Sequence, residues 1–260
     1  MAFIALITDF GNRDEYVGLV KGVILEVNPQ AQIIDLSHEI PPQDLIWASF
    51  LLGNAYKFFP RKTIFLCVVD PEVGTERRTI IVKTKDYFFV CPDNGILTKV
   101  LEREKVEQIV EIRNKKFFLK EISSTFHGRD IMAPVAGYLS KGVALEKFGP
   151  KIKNIRRIKL PTPIMRKDCM IGKVIHIDHF GNLVTNIEKE SLRNKVQASF
   201  SIAIKGRKIH KINNAYAESN KRRLLAIWGS RNLLEISINL GNAAKKLMAG
   251  KGEKVIIYFY

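Results

Sequence analysis

The first 150 residues alternate continuous apolar runs with amphipathic segments. The run AFIALIT precedes a segment in which Val17, Val20 and Ile24 share one helical face. Further runs predict strands at AQIIDLS, TIFLCVV, TIIVKT, YFFVC and VEQIVEI, and residues 44–58 predict a second helix. This βαβαβ order predicts an α/β domain with a largely parallel central sheet flanked by helices.

The pattern changes beyond residue 150. The stretch FGPKIKNIRRIKLPTPIMRKD has no helical face and contains prolines, so it is typical of a connector. Short β-type segments follow at MIGKVIHID, LVTNI, ASFSIAI, RKIHKI, LLAIWG, LLEISIN and KVIIYFY, and only NAAKKLMAG indicates a helix. Short strands at this spacing predict a small barrel or sandwich.

Composition places the chain among folded globular proteins, with 46% hydrophobic and 26% charged residues. The longest apolar segment, LIWASFLLG, has nine residues, fewer than the ~20 that a membrane crossing needs. The amino terminus has no signal-peptide pattern. The three cysteines, Cys67, Cys91 and Cys169, have no metal-ligand spacing. We therefore predict a cytoplasmic protein with no membrane partner.

The net charge of +16 is concentrated in the second half of the chain. Residues 1–140 contain 17 Lys and Arg against 18 Asp and Glu, whereas residues 141–260 contain 25 against 8. Such asymmetry occurs in nucleic-acid-binding proteins. Here, however, the basic residues are scattered through strand-like segments without interleaved aromatic residues. A solvated basic surface is the favoured interpretation, and nucleic-acid binding is the alternative.

The segment STFHGRDIMAPVAGYL passes from a polar turn into an amphipathic helix. Ile131, Val135 and Leu139 repeat at helical spacing, and Asp130 stands where an N-cap carboxylate would accept amide hydrogens. Pro134 falls in the first turn, where a missing N–H is tolerated. These assignments leave His127 without a predicted structural role.

Three polar clusters follow predicted strands and therefore lie at one edge of the sheet, where α/β proteins bind ligands. They contain Asp9 and Asp14 in TDFGNRD, Asp70 and Arg77 in VVDPEVGTERRT, and His127. Aspartate and histidine ligands would suit a divalent metal ion. No close histidine pair accompanies them, however, and we predict no metal. P-loop, GxGxxG and GxSxG motifs are also missing.

Seven collinear stretches carry a resemblance to a known family. They are TDFGNRDEYVGLVKGVI, IIDLSHEIPPQDLIWAS, FFPRKTIFLCVVDPEVGTERR, PDNGIL, STFHGRDIMAPVA, IDHFGNLVTNI and GSRNLLEISINLGNAA. The sequence resembles the S-adenosyl-L-methionine (SAM) hydrolases, also called SAM hydroxide adenosyltransferases, which are relatives of the fluorinase and chlorinase. The resemblance covers nearly the whole chain.

The resemblance implies an N-terminal α/β domain, predicted here over residues 1–158, a linker over 159–170 and a smaller C-terminal β-barrel-like domain over 171–260. It implies a homotrimer with substrate held between one subunit's N-terminal domain and its neighbour's C-terminal domain. The implied reaction converts SAM and water into adenosine and L-methionine, without a cofactor.

The resemblance also assigns a hydrolytic triad. Asp70 would orient the attacking water, Arg77 would favour hydroxide electrostatically, and His127 would hold the water and help to deprotonate it. The fluorinase lacks this set and binds a halide instead, so the triad favours water as the nucleophile. Glu72 departs from the family's usual glycine. Its carboxylate either perturbs the triad or points to solvent, and we favour solvent.

The substrate-binding residues implied by the resemblance come from both domains. Asp9 would accept the ribose hydroxyls, and Asp14 would lie near the methionine amino group or cap the following helix. In the second domain Asp178 would support the site, and Phe180 and Tyr216 would either contact adenosine or belong to the barrel core. The full implied set is Asp9, Asp14, Asp70, Phe180, Asn182, Tyr216, Ser230, Glu235 and Ile238.

Two other functions stay open. One is a SAM-dependent halogenase. The other is a regulatory protein that binds SAM or adenosine and whose basic domain contacts nucleic acid.

Overall fold

A computed structural model describes residues 3–192 and 199–260, which form two compact units with their boundary between Leu160 and Pro161. Each unit has its own buried apolar core. Within the described ranges, no helix combines the length and apolar character needed to cross a lipid bilayer.

The first unit is an α/β domain built on one six-stranded sheet. Its strands are β1 (Phe3–Thr8), β2 (Gln32–Ser37), β3 (Ile64–Val68), β4 (Thr79–Thr84), β5 (Phe88–Pro92) and β6 (Val106–Glu111). Its helices are α1 (Tyr16–Val27), α2 (Leu45–Ala55) and α3 (Ala133–Ser140). The strand order is β2-β1-β3-β5-β4-β6.

The sheet is parallel from β2 through β5, which confirms the predicted fold class. Only β4 runs the other way, antiparallel to both of its neighbours. The reason is the short connection between β4 and β5, residues 85–87, because a parallel pair needs a crossover of a dozen or more residues.

Helices cover both faces of this sheet. On one face α1 and α3 pack on alternate strand residues such as Leu6 and Leu66. Strand side chains alternate between faces, so Phe65 and Phe89 lie on the other face. There Tyr56, directly after α2, packs its ring against Phe89 at 6.3 Å between centroids. The apolar residues on both faces of the sheet are therefore covered, and the polar ends of the strands are left to bind ligands.

The second unit is a nine-stranded, barrel-like sheet. Its strands are β7 (Ile164–Met165), β8 (Cys169–Ile177), β9 (Leu183–Glu188), β10 (Phe200–Ile204), β11 (Arg207–Ile209), β12 (Ile212–Asn213), β13 (Leu224–Trp228), β14 (Leu233–Ile238) and β15 (Lys254–Phe259), and its described residues include one α-helix, α4 (Ala243–Leu247). Their order is β11-β10-β15-β8-β9-β14-β13-β12, and β7 pairs with β8.

The predicted strands of the second half are all found, with two differences. Residues 164–165, within the predicted linker, form β7 and pair antiparallel with β8. The segment RKIHKI forms two strands, β11 and β12. Ala2 and Ala198, at the start of two predicted strands, lie outside the described residues.

Candidate active site

The carboxyl ends of β1 and β3 meet the amino end of the α3 segment around a small cavity in the first unit. Asp9 directly follows β1, Asp70 comes two residues after β3, and His127 precedes a turn of π-helix that leads into α3. All three residues line the cavity, which has a volume of about 210 Å³. Residues from three distant parts of the sequence therefore meet at one point.

Asp70 and Arg77 form a buried ion pair behind this cavity. The side chains are 6% and 4% exposed. Nε of Arg77 donates to Oδ1 and Oδ2 of Asp70 at 3.0 and 2.9 Å, and Nη2 also donates to Oδ2. Nη1 donates to the hydroxyl of Thr79 at 2.7 Å. The guanidinium is therefore fixed in orientation, as a charge buried from water must be.

Arg77 also contacts His127. Its Nη2 lies 3.0 Å from Nδ1 of the imidazole. A guanidinium only donates hydrogen bonds, so Nδ1 accepts and the proton of the neutral ring is on Nε2. Burial, and next the positive charge of Arg77, lower the pKa of His127 from its ordinary value of 6.5. The ring is therefore neutral at neutral pH and presents an N–H donor.

Two glycines allow the loops to bring these groups together. Gly74, at φ +81°, lies in the loop between Asp70 and Arg77, and a Cβ there would collide with the carbonyl oxygen of Ser124. A Cβ on Gly128 would lie 2.7 Å from Cγ1 of Val68 at the end of β3. Side chains at either position would push the loop carrying His127 away from β3.

The carboxylate of Asp9 is held by the backbone of a residue that the sequence analysis missed. The amide of Gln43 donates to Oδ2 of Asp9 at 2.8 Å, and Gln43 lines the same cavity. Gln43 has φ 64°, an unusual conformation for a non-glycine residue. Burial raises the pKa of Asp9, and the Gln43 amide opposes this shift. Nothing in the sequence marks this residue, because its contribution comes from the backbone.

The prediction that Asp130 caps the helix is wrong. Asp130 lies inside the π-helical turn and is fully buried. Its Oδ2 accepts the amide of Ser123 at 2.8 Å, and its Oδ1 accepts Nε of Arg129 at 2.6 Å. The carboxylate therefore closes the loop that carries His127. Pro134 does lie in the first turn of α3, as predicted.

Glu72 turns away from the triad. Its carboxylate accepts two hydrogen bonds from Nη1 of Arg156, at 3.0 and 2.7 Å, and its side chain is 37% exposed. The favoured prediction placed it in solvent, and the structure adds the surface ion pair with Arg156.

A second and larger cavity lies in the barrel-like unit, with a volume of about 980 Å³. It contains every candidate residue of the second half. Those that line it are Asp178, Phe180, Asn182, Tyr216, Ser230, Glu235 and Ile238. Phe180 is 73% exposed and Tyr216 is 41% exposed, so the alternative that they form the barrel core is wrong. Trp228 and Asn239, which no sequence pattern marks, also line this cavity.

Hydrogen bonds fix the polar groups of this cavity. Asp178 accepts both the backbone amide and Nδ2 of Asn182, each at 2.8 Å, which orients the Asn182 side chain. The Tyr216 hydroxyl donates to Oε2 of Glu235 at 3.1 Å. Burial raises the pKa of Glu235, and burial together with the charge of Glu235 raises the pKa of Tyr216 to about 12. The cavity thus combines exposed aromatic rings with a buried carboxylate.

Asp14 is the one substrate-binding candidate that lines neither cavity. It lies exposed in the turn before α1, whose N-cap residue is Glu15 and which has no side-chain cap within the described part of the chain. Among residues 3–192 and 199–260, no group of three His, Cys, Asp or Glu side chains is placed to hold a metal ion.

Comparison with known proteins identifies the family. The model of the SAM hydroxide adenosyltransferase N-terminal domain matches residues 4–149, and that of the C-terminal domain matches residues 172–256. The chain belongs to the SAM hydroxide adenosyltransferase family. Its first matched domain contains Asp9, Asp70, Arg77 and His127, and its second contains the cavity residues of the barrel-like unit.

Individual proteins are similar to the chain over most of its length. The chain is 36% identical to a protein of Methanocaldococcus jannaschii named (R)-S-adenosyl-L-methionine hydrolase, over 94% of this chain and 91% of that protein. It is 28% identical to a fluorinase of Actinoplanes sp., over 73% and 72% of the two chains. A crystal structure of an uncharacterized conserved protein from Thermotoga maritima superimposes with a TM-score of 0.90 and 38% identity, over 99% and 100% of the two chains.

Proposed function

We propose that the protein hydrolyses (R)-S-adenosyl-L-methionine to adenosine and L-methionine, by attack of water on C5′ of the ribose. The observation that carries this proposal is the buried Asp70–Arg77 pair with His127 bonded to the same guanidinium, beside a cavity lined by Asp9. The M. jannaschii relative, named for this activity, supports it.

The substrate already carries a good leaving group, so the nucleophile is the difficult part of the reaction. Attack forms the C5′–O bond and breaks the C5′–S bond. The electron pair passes to the sulfonium sulfur, and one proton is released. Unassisted water is a weak nucleophile, because its pKa near 15.7 leaves little hydroxide at neutral pH. A buried cation near the water favours hydroxide over neutral water.

The contacts of each triad member support a role in activating the water. With Nδ1 occupied by Arg77, His127 holds the water by donating from Nε2. Asp70 borders the same cavity and orients the water by accepting its O–H. The Arg77 charge favours hydroxide over water. The family resemblance predicts that His127 also accepts the water's proton. For that, the ring proton must first move from Nε2 to Nδ1, which breaks the hydrogen bond from Arg77.

Substrate binding is divided between the two cavities. Asp9 accepts the ribose hydroxyls, since a carboxylate can accept both donors of a cis-diol. Asn182, Ser230, Glu235 and Ile238, with the rings of Phe180 and Tyr216, contact the adenine and methionine ends. Asp14 stays a weaker assignment, because it is exposed outside the cavities. The reaction needs no cofactor, because protein groups supply the charge and the hydrogen bonds.

We also propose that the protein is a cytoplasmic homotrimer, with each substrate held by the N-terminal unit of one subunit and the C-terminal unit of its neighbour. The family resemblance supports the trimer. The three cysteines are all free thiols, which agrees with a reducing compartment.

The proposal is tested by incubating the purified protein with SAM, with and without chloride, and separating the products by chromatography. Adenosine formation that does not depend on chloride supports hydrolysis. A 5′-halogenated nucleoside would instead show a halogenase. Tight SAM binding without turnover, together with salt-sensitive binding to DNA, would favour the regulatory alternative.

A further inference from the structure

The ends of β1 and β2 are joined by a buried histidine that the proposed reaction does not use. His38 directly follows β2 and is 4% exposed, and Thr8 ends β1 and is 1% exposed. Nδ1 of His38 lies 2.9 Å from the hydroxyl oxygen of Thr8. A buried imidazole bonded to a buried hydroxyl, one residue from Asp9, requires an explanation.

The other nitrogen of His38 determines the direction of this hydrogen bond. Nε2 lies 3.0 Å from Oδ1 of Asp35, and Oδ2 of Asp35 accepts Nζ of Lys21 at 2.6 Å. Burial opposes ionisation of Asp35, but the hydrogen bond from Lys21 and the close contact with His38 outweigh it, so the pKa of Asp35 is lowered. This contact lacks hydrogen-bond geometry, but an ionised carboxylate oxygen repels a nitrogen lone pair 3.0 Å away. In the neutral ring the proton is therefore on Nε2, and Nδ1 accepts from the Thr8 hydroxyl.

Thr8 and His38 then hold the backbone on both sides of Asp9. The Thr8 oxygen accepts the amide of Phe10 at 3.3 Å, and the backbone carbonyl of His38 accepts the amide of Gly11 at 2.8 Å. The Asp9 carboxylate itself accepts the amide of Gln43 at 2.8 Å. Asp9 is therefore fixed by its neighbours in the chain as well as through its own side chain.

We propose that His38, oriented by Asp35 and bonded to Thr8, is a positioning residue that sets the Asp9 carboxylate for a ligand carrying a cis-diol. The inference rests on the proposed function, in which Asp9 accepts the ribose hydroxyls. It adds that the affinity for those hydroxyls depends on a chain of side chains that starts at Lys21 on the surface and does not touch the substrate.

A purely structural histidine and a positioning histidine differ in what they change. Loss of general packing would weaken the binding of every nucleoside alike. Loss of Asp9 positioning would weaken only ligands that carry the 2′- and 3′-hydroxyls. The informative quantity is therefore the ratio of the affinities for adenosine and 2′,3′-dideoxyadenosine.

The test is equilibrium dialysis of the full-length protein with these two nucleosides. Thr8→Val removes the hydroxyl and keeps the side-chain volume. Since a hydrogen bond between a neutral donor and acceptor contributes about 1 kcal/mol, adenosine should bind about fivefold more weakly. Binding of 2′,3′-dideoxyadenosine should be unchanged. The matched control is Thr63→Val, which should leave the ratio unchanged. Thr63 is fully buried and directly precedes β3, so it lies at the amino ends of the strands, away from Asp9.

A second pair of variants tests the inference where Thr8→Val does not fold. Asp35 is 44% exposed at its side chain, so Asp35→Ala is compatible with folding, and it should reduce the ratio because it releases His38. Lys21→Met removes only the outer ion pair and should reduce it less. A wild-type preference for adenosine that survives both Thr8→Val and Asp35→Ala would overturn the inference.

The failure of the inference is distinguishable from failure of the proposed function. Wild-type protein that hydrolyses SAM but binds both nucleosides equally would overturn the Asp9 assignment and this inference, while hydrolysis stands. Wild-type protein that prefers adenosine but does not hydrolyse SAM would overturn the proposed function. In that case the response of the ratio to Thr8→Val would still support or overturn the role of His38.

Discussion

The two cavities differ in the state of their functional groups. In the first unit the cavity is small, about 210 Å³, and the charged groups behind it are buried and bonded to one another. In the second unit the cavity is about 980 Å³, and Phe180 and Leu240 on its lining are 73% and 75% exposed. One region is preorganised for chemistry, and the other presents apolar surface to a ligand.

The buried charges beside the first cavity are suited to catalysis, and the exposed rings of the second cavity are suited to binding. Fixed dipoles and charges accelerate a reaction because they need no reorganisation in the transition state. Exposed aromatic rings gain free energy when a ligand covers them, and they do so for substrate and transition state alike. Variants of the triad at the first cavity should therefore change kcat, and variants of the second cavity should change KM.

The largest expected effect is that of His127→Ala, which removes the donor proposed to hold the attacking water. We expect kcat to fall by about 10²–10⁴-fold, with the Kd for SAM nearly unchanged, as measured by steady-state kinetics and calorimetry. His210→Ala is the control, because His210 is exposed and lines neither cavity. A variant that loses SAM binding but keeps its turnover per bound substrate would contradict the catalytic role.

Phe180→Ala should have the complementary effect in the second cavity. Removing an exposed ring that is proposed to contact the adenine should raise KM about tenfold and leave kcat within about twofold, because such a ring would bind substrate and transition state equally. Phe58→Ala is a matched control, since Phe58 is 76% exposed and lines neither cavity. A fall in kcat with constant KM would remove the distinction between the two regions.

The protonation of His127 should have a smaller effect, on the pH dependence of activity and stability. Burial and Arg77 lower its pKa below 6.5, so activity should persist as the pH falls through 6.5. It should decline only below that pH, where protonation of Nδ1 breaks the bond from Arg77 that orients the ring. The unfolded chain binds the proton more readily, so the stability contributed by neutral His127 is present above pH 6.5 and is lost as the pH falls through the folded-state value.

An NMR titration of the histidine ring signals measures this pKa directly. Arg77→Gln should raise it, because the positive charge of Arg77 disappears while Asp70 and Asp130, which both raise it, remain. The His127→Ala variant assigns the signal. A titration of His127 above 6.5 in the wild-type protein would contradict the arrangement around Arg77.

The smallest expected effect is that of metal removal. The proposed chemistry takes its positive charge from Arg77, so dialysis against EDTA should leave kcat unchanged, as measured by adenosine release. Loss of activity after dialysis, with recovery on adding one particular divalent ion, would contradict the proposal.

The sequence was sufficient to predict where the first cavity lies. Asp9, Asp70 and His127 each follow or precede a strongly patterned element, and the carboxyl ends of parallel strands share one edge of the sheet. Their convergence therefore follows from the order of strands and helices. The residues of the second cavity were placed by resemblance, since short strands alone left a barrel or a sandwich open.

The contacts between those residues could not be predicted in the same way. The bond from Arg77 to His127 depends on how two loops pass each other at Gly74, and the amide of Gln43 reaches Asp9 only through a left-handed turn. Asp130 has the sequence context of a cap, but the π-helical turn places it inside the helix, where it bonds to Ser123. Loop conformation, not residue type, decided each case.

The most direct test of the central claim is hydrolysis of SAM in water enriched in oxygen-18, with mass spectrometry of the adenosine. We expect one labelled oxygen, at the 5′ position, because water attacks that carbon and sulfur leaves. Adenosine without the label would contradict it, since the 5′ oxygen would then come from another nucleophile.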